Sequence, residues 1–129
     1  MKHTFTKAER LNSKKTIKEL FEKGSEKTEA VFLYPFRVVC LFENADNSKP
    51  ISIIISVSKR LFKRAVDRNI IKRRIKEAYR LNKYLIYNKE SIIFPANIAL
   101  IYVGKEILPY EAIETKLKVI LGKIGKEKI

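Results

Sequence analysis

Between positions 59 and 83 stand 11 basic residues, Lys59, Arg60, Lys63, Arg64, Arg68, Lys72, Arg73, Arg74, Lys76, Arg80 and Lys83, against two acids, Asp67 and Glu77. Their chemistry is recognition of anions. Planar Arg forks and compact Lys charges suit phosphate oxygens, and the amide of Asn69 suits a base edge. A solvated helix face would offset such a run with Glu or Asp at i±4, because like charges so spaced repel by a few tenths of a kcal/mol. The two acids do not do this, so a polyanion that relieves the repulsion is the economical explanation.

Other chemistry finds no residues to carry it. The single cysteine, Cys40, has no partner for an internal bridge, and with the single histidine, His3, it makes no zinc site. The acids are scattered, no nucleophile has a neighbouring histidine, and the four glycines form no phosphate loop. The sequence therefore predicts no catalytic and no metal-binding residues in the chain itself. With 129 residues, a net charge of +14 and a pI near 9.9, nucleic acid is the first partner class and an acidic membrane face the second. A membrane-surface helix would turn bulky apolar residues to lipid, whereas here the apolar half is needed against a sheet. No stretch approaches a membrane span and the first residues lead into charge, so a cytoplasmic protein without a membrane partner is expected.

Several elements must hold the basic stretch. Ser13 to about Lys23 reads as a helix with Ile17, Leu20 and Phe21 on one face and Gly24 as its stop. Val31–Phe42 reads as strand, with Pro35 marking an edge, bulge or break, and a short extra strand is possible near Gly24–Glu29. The turn cluster Asn44–Pro50 predicts a hairpin into Ile51–Ser58, where Ile51, Ile53, Ile55 and Val57 alternate with Ser52, Ser56 and Ser58, and Ile54 is the exception. A long helix follows from about Arg64 to Tyr84. Asn97–Val103 is another strand, and Pro109 opens a last helix through about Lys123 carrying Ile113, Leu117, Ile120, Leu121 and Ile124. The order α-β-β-(β)-α-β-α over residues 1–129 predicts one α+β RNA-binding domain, a small mixed sheet of about four strands packed by three helices.

At about 100° per residue from Val66, Ile70, Leu81, Ala78, Ile71 and Ile75 fall in the half turn from 0° to about 180°. Arg68, Lys72, Lys83, Lys76, Asn69, Arg80 and Arg73 occupy about 200° to 340°. The expected helix is half apolar and half cationic. It follows a strand directly, without the geometry of a major-groove reader, which favours RNA over DNA. Phe21, Phe32, Tyr34 and Tyr79 are candidate stacking platforms for unpaired bases, with core packing as the competing role of each.

These residues resemble a known signature. Ser56-Val57-Ser58-Lys59-Arg60, then Ala65, then Arg68-Asn69-Ile70-Ile71-Lys72-Arg73-Arg74-Ile75-Lys76-Glu77-Ala78-Tyr79 are similar to the bacterial ribonuclease P protein component, a strand ending in S/T-V-S/A-K-K/R followed by a helix of the form R-N-R-x-K-R-x-x-R-E. Arg10-Leu11, Phe21 with Gly24, Val31-Phe32-Leu33-Tyr34 and Tyr110-Glu111 fit as well. The resemblance implies a ribosomal protein S5 domain 2-like fold with a left-handed β-α-β crossover, against the usual right-handed rule. It implies a non-catalytic subunit that binds ribonuclease P RNA and the single-stranded 5′ leader of precursor tRNA, with the hydrolysis performed by the RNA and its bound magnesium, and no obligate protein partner. By matching position, Arg68, Asn69, Lys72, Arg73 and Lys76 would face the catalytic RNA, and Lys63, Arg64, Arg74 and Arg80 are expected there as members of the same basic stretch. Ile17, Phe21, Tyr34, Ser56, Ser58 and Lys59 would likewise line or border the leader cleft, with Phe32 added to it as a candidate stacking ring.

Two positions depart from the pattern. Ile70 stands where the motif has its second arginine, and Arg74 where it is usually apolar. They lie one turn apart, so the expectation is that Ile70 packs inward while Arg74 emerges to make the phosphate contact, against the alternative that Arg74 lies along the apolar surface or pairs with a carboxylate. A ribosomal protein or a DNA-binding regulator would share the size, charge and fold class.

Overall fold

Strand alternation and helix periodicity both appear where the apolar pattern puts them, with corrections in how the strands pair and how the basic helix is turned. The structure, a computed structural model, describes residues 28–42, 45–89 and 92–127. The helix predicted over Ser13–Lys23, with Ile17 and Phe21, lies outside the described residues, as does most of the extra strand over Gly24–Glu29. The elements are β1 (Thr28–Leu33), β2 (Phe36–Leu41), β3 (Ser52–Val57), α1 (Ala65–Asn82), α2 (Tyr84–Tyr87), β4 (Ile92–Ile93), β5 (Asn97–Tyr102), α3 (Tyr110–Lys123) and β6 (Lys126–Glu127). The main sheet has the order β1-β2-β5-β3, and β4 pairs with β6 in a separate ribbon. β1 with β2 and β2 with β5 are antiparallel, whereas β3 runs parallel to β5.

The expected strand over Val31–Phe42 is two strands. Pro35, with a cis Tyr34–Pro35 peptide, sits in the turn between β1 and β2. The expected hairpin across Asn44–Pro50 does not form, because β5 is inserted between β2 and β3. Asn47 explains the change: its amide donates to Ile92 O at 2.9 Å and accepts from Phe94 N at 2.9 Å, mimicking a strand partner and tying this loop to the approach of β5. The N–H of Ala96 then reaches Leu41 O and that of Ser52 reaches Ala96 O. Ile98, Ala99 and Leu100 of β5 are fully buried, which is why this central strand reads as an unbroken apolar run.

One sheet face makes the core with both long helices. Phe36, Val38, Cys40, Ile53, Val57, Ile98, Leu100 and Tyr102 meet Ile71, Ile75, Ala78 and Tyr79 of α1 and Ile113, Leu117, Ile120 and Leu121 of α3. Val39, Leu41 and Ala99, with Ile54 and Ile101, form a second cluster on the opposite face, and this gives Ile54 its role. Burial pushes the Cys40 thiol up to about 12, so it is a core group rather than a nucleophile.

α1 is turned further than the wheel predicts. Its buried residues are Ile71, Ile75, Ala78, Tyr79 and Asn82, which span about 120° to 220° from Val66. Val66 is 50% exposed, and Ile70 belongs neither to the core nor to the partly buried residues packed on it, so Ile70 does not pack inward. Lys83, expected on the basic face, is buried at the junction of α1 and α2. Tyr79, a candidate stacking platform, is a core residue. The rotation has a polar cause that an apolar count misses. Asn82 donates to Ala78 O at 2.8 Å and to Glu114 Oε2 at 3.0 Å, and Tyr110 OH donates to the same carboxylate at 2.8 Å, so α1 and α3 are tied along the Tyr79–Asn82 edge.

Asn82→Ala is expected to cost about 1–2 kcal/mol in urea unfolding, since it removes a buried hydrogen-bond donor. The hydrogen bond from Asn82, then that from Tyr110, holds the Glu114 carboxyl below its ordinary range. The stability this contributes is present above the unfolded-state pKa and is lost as pH falls through the folded one. Wild type is therefore expected to exceed Glu114→Gln at neutral pH and to converge with it in acid. A difference that does not change with pH contradicts the charged tie.

Candidate nucleic-acid interface

The cationic face of α1 starts before the helix does. Ser58 Oγ accepts the N–H groups of Arg60 at 3.1 Å and Leu61 at 3.3 Å, folding the end of β3 into a turn that delivers Lys63 and Arg64 to the helix N-terminus. Arg64 is the N-cap residue and no side chain caps the helix there. Cations thus sit at the positive end of the helix dipole, an arrangement that costs stability in the free protein and favours an anion.

Lys59, Arg60, Lys63, Arg64, Asn69, Lys72 and Arg73 are exposed, and their side chains make no hydrogen bond or ion pair among the described residues. Lys76 is exposed beside them. Three other predicted contacts are committed within the protein. Arg68 Nη1 turns back to Phe62 O at 2.7 Å and Lys63 O at 3.0 Å, securing the entry to α1 while leaving its remaining donors. Arg80 Nε donates to Glu77 Oε2 at 3.0 Å, and this hydrogen bond holds the Glu77 carboxyl low. Arg74 Nη1 donates to Leu108 O at 2.6 Å, so it joins α1 to the segment before α3.

A second surface lies on the sheet face opposite the main core. The register aligns Phe32 with Arg37, Arg37 with Ile101, and Ile101 with Ser56, one row across all four strands. Phe32 is 68% exposed on this face, whereas Tyr34, 52% exposed in the turn after β1, lines a cavity with Leu108, Glu111 and Ala112 on the side of the sheet that α3 covers. Ser56 is half-buried in the row, Ser58 is held in its turn, and Lys59 is exposed just beyond. Of the predicted leader residues, Phe32 and Ser56 share this face, Tyr34 lies in the turn beside α3, Lys59 lies beyond the end of β3, and Ile17 and Phe21 lie outside the described residues.

Arg37 was missed by the sequence reading because it sits in a strand region without net positive charge. It shares a face with Val39 and Leu41, beside Phe32, and its side chain makes no hydrogen bond or ion pair among the described residues. Only the register shows this. A cation, an exposed aromatic and a hydroxyl on one open face suit single-stranded nucleic acid, with the ring for a base and the guanidinium for phosphate. Among the described residues no group of three or more His, Cys, Asp or Glu is placed to hold a metal, and no helix is long and apolar enough to cross a membrane.

Comparison with known proteins agrees over most of the chain. The family model for ribonuclease P matches residues 5–125. The ribonuclease P protein component of Porphyromonas gingivalis is 36% identical over 122 residues, covering 93% of this chain and 85% of that one. That of Petrotoga mobilis is 40% identical over 80 residues, 62% of this chain and 61% of the relative. The solved RNase P protein of Staphylococcus aureus superposes with a TM-score of 0.65 at 25% identity, covering 92% of this chain and 98% of that one.

The seven exposed cations from Lys59 to Lys76 set the expected salt dependence of RNA binding. If each neutralises about one phosphate, log affinity against log salt falls with a slope of roughly −5 to −6, and Lys72→Ala makes it shallower by about one. A wild-type slope near −2 shows instead a face that remains mostly solvated.

Proposed function

The chain belongs to the ribonuclease P protein family and is the protein subunit of ribonuclease P, acting in tRNA maturation, and from that premise we propose how its two surfaces divide the RNA. The basic face of α1 and its approach, Lys63, Arg64, Arg68, Asn69, Lys72, Arg73 and Lys76, binds the catalytic RNA. Arg80 and Arg74, held by Glu77 and Leu108, take peripheral or internal roles. The opposite sheet face binds the 5′ leader of precursor tRNA through Phe32, Arg37 and Ser56, with Lys59 beyond β3 and Tyr34 at the turn beside α3 bordering it; Ile17 and Phe21 are assigned to the leader by the family resemblance alone. Ser58 positions the turn between the two surfaces.

The observation that carries this reading is the exposed cation face of α1 and its approach, Lys59 to Arg73, on which Lys59, Arg60, Lys63, Arg64, Lys72 and Arg73 make no ion pair among the described residues. A surface of this kind lowers the repulsion between RNA segments brought together on it. In this reading the protein binds and orients, and the hydrolysis is carried by the RNA subunit with its magnesium. The β3–α1–β5 connection is proposed to be left-handed as in the family, and the site of action is the cytoplasm.

Reconstitution with ribonuclease P RNA at low magnesium tests this. The protein is expected to stimulate cleavage of precursor tRNA, and failure to do so overturns the reading. Lys72→Ala is expected to weaken assembly with the catalytic RNA. Tyr34→Ala or Phe32→Ala is expected to lower the preference for precursor over mature tRNA about fivefold or more, the scale of one lost base stack. Equal effects of both classes on leader preference contradict the division of labour.

A further inference from the structure

The Arg-Asn-Arg pattern is broken at its third position, and the structure leaves an apolar gap there. Val66 is half exposed, Ile70 one turn later is partly exposed, and neither packs on the core. At a spacing of i, i+4 the two side chains are neighbours on the helix surface. Asn69 and Arg73, three residues beyond Val66 and Ile70 respectively, border the pair with an amide and a guanidinium, both exposed. The cation that could reach over Ile70 from the other side, Arg74, instead donates to Leu108 O at 2.6 Å. Its engagement with the segment before α3 means that it does not restore the missing charge at position 70.

β-branched apolar residues are an unfavourable choice on a solvated helix face, both for helix propensity and for water. Two adjacent ones inside a cationic surface ask for a cover that is apolar at the contact and anionic around it. A second copy of this chain fits badly, because it would bring two surfaces of the same sign together in proteins of net charge +14. A nucleotide fits well: the base offers an apolar face, and its phosphates meet the surrounding cations.

We propose that Val66 and Ile70 form an apolar strip on the RNA-binding side of α1 that packs against an unpaired nucleobase of the catalytic RNA, in place of the phosphate contact an arginine would make. Asn69 borders the strip and supplies a hydrogen-bonding amide for the edge of that base. The inference rests on the assignment of α1 to the catalytic RNA and refines what is read there.

The test measures the affinity of the full chain for ribonuclease P RNA across a salt series. Ser differs little from Val and Ile in helix propensity, so Val66→Ser and Ile70→Ser leave the helix nearly as stable. Each is expected to weaken binding about three- to tenfold with the salt slope unchanged. Ile70→Arg is expected to recover affinity while steepening the slope by about one, since a phosphate contact replaces an apolar one. Native affinity in both Ser variants overturns the proposal, and so does a shallower slope in either. A shift in the oligomeric state of the RNA-free protein, read by sedimentation, assigns the strip to a second copy and also overturns it. Val66→Ser, at the more exposed position, remains informative if Ile70→Ser perturbs folding. Lys72→Ala separates this inference from its premise: a weakened Lys72→Ala with native Ser variants removes only the strip, whereas a native Lys72→Ala removes the assignment of α1.

Discussion

The edge of α1 that is sealed from water governs what the rest of the molecule presents. Ile71, Ile75, Ala78, Tyr79 and Asn82 fill about 100° of the helix circumference against the sheet and α3. Lys72, Lys76, Asn69 and Arg73 must then point away, and no local preference of their own is needed to place them there. A rotation of one residue position would bring cations into the core, where an unpaired charge costs several kcal/mol. The Asn82–Glu114–Tyr110 tie gives this rotation a polar lock as well as an apolar one.

The two long helices both carry an acid in the first turn and a base in the last, but differ at the N-cap. α3 begins with Glu111 in its first turn and ends under Lys89, whose ammonium donates to Gly122 O at 2.6 Å and Ile124 O at 2.8 Å. Both charges complement the helix dipole and satisfy carbonyls that would otherwise lack partners. α1 carries Arg64 at its uncapped N-terminus, the wrong sign for stability in isolation. The fold tolerates this because the opposite side of α1 is fully packed. Asp67 in the first turn offsets part of this, and an anion bound at the cationic end would offset more.

Elements whose apolar period matches their surroundings were legible in the sequence. β3 alternates as expected, β5 reads as an apolar run because it is central, and α3 begins beside Pro109 and ends at Lys123. The predicted hairpin failed because the turn cluster at 44–50 uses Asn47 to grip the approach of β5, a contact across 45 residues that no local pattern reports. The rotation of α1 was misread because Tyr79 and Asn82 look like surface residues when only apolar spacing is counted. In the site, the basic residues were legible because they are consecutive turns of one helix. Arg37 was not, since its place beside Phe32 exists only in the register of β1 with β2. Arg74 was recognised as anomalous, but its acceptor is a backbone carbonyl 34 residues away rather than a phosphate or a carboxylate.

Residues 58–64 connect the two candidate surfaces, and their construction bears on how the surfaces work together. The segment leaves the β3 row that holds Ser56, turns on Ser58 Oγ, buries Phe62 against the Tyr102 ring at a centroid distance of 6.1 Å, and enters α1 under the grip of Arg68. Each contact fixes backbone or core, not ligand, so the spacing between the sheet face and the cationic face is set before RNA binds. Tyr102 extends the same support, because its hydroxyl donates to Glu106 O at 2.5 Å and so steadies the segment that Arg74 holds. A preset spacing removes the ordering cost that two flexibly joined sites would impose on a ligand contacting both. The short joint, rather than any single basic residue, is therefore what fixes the sheet face and the cationic face in one relation.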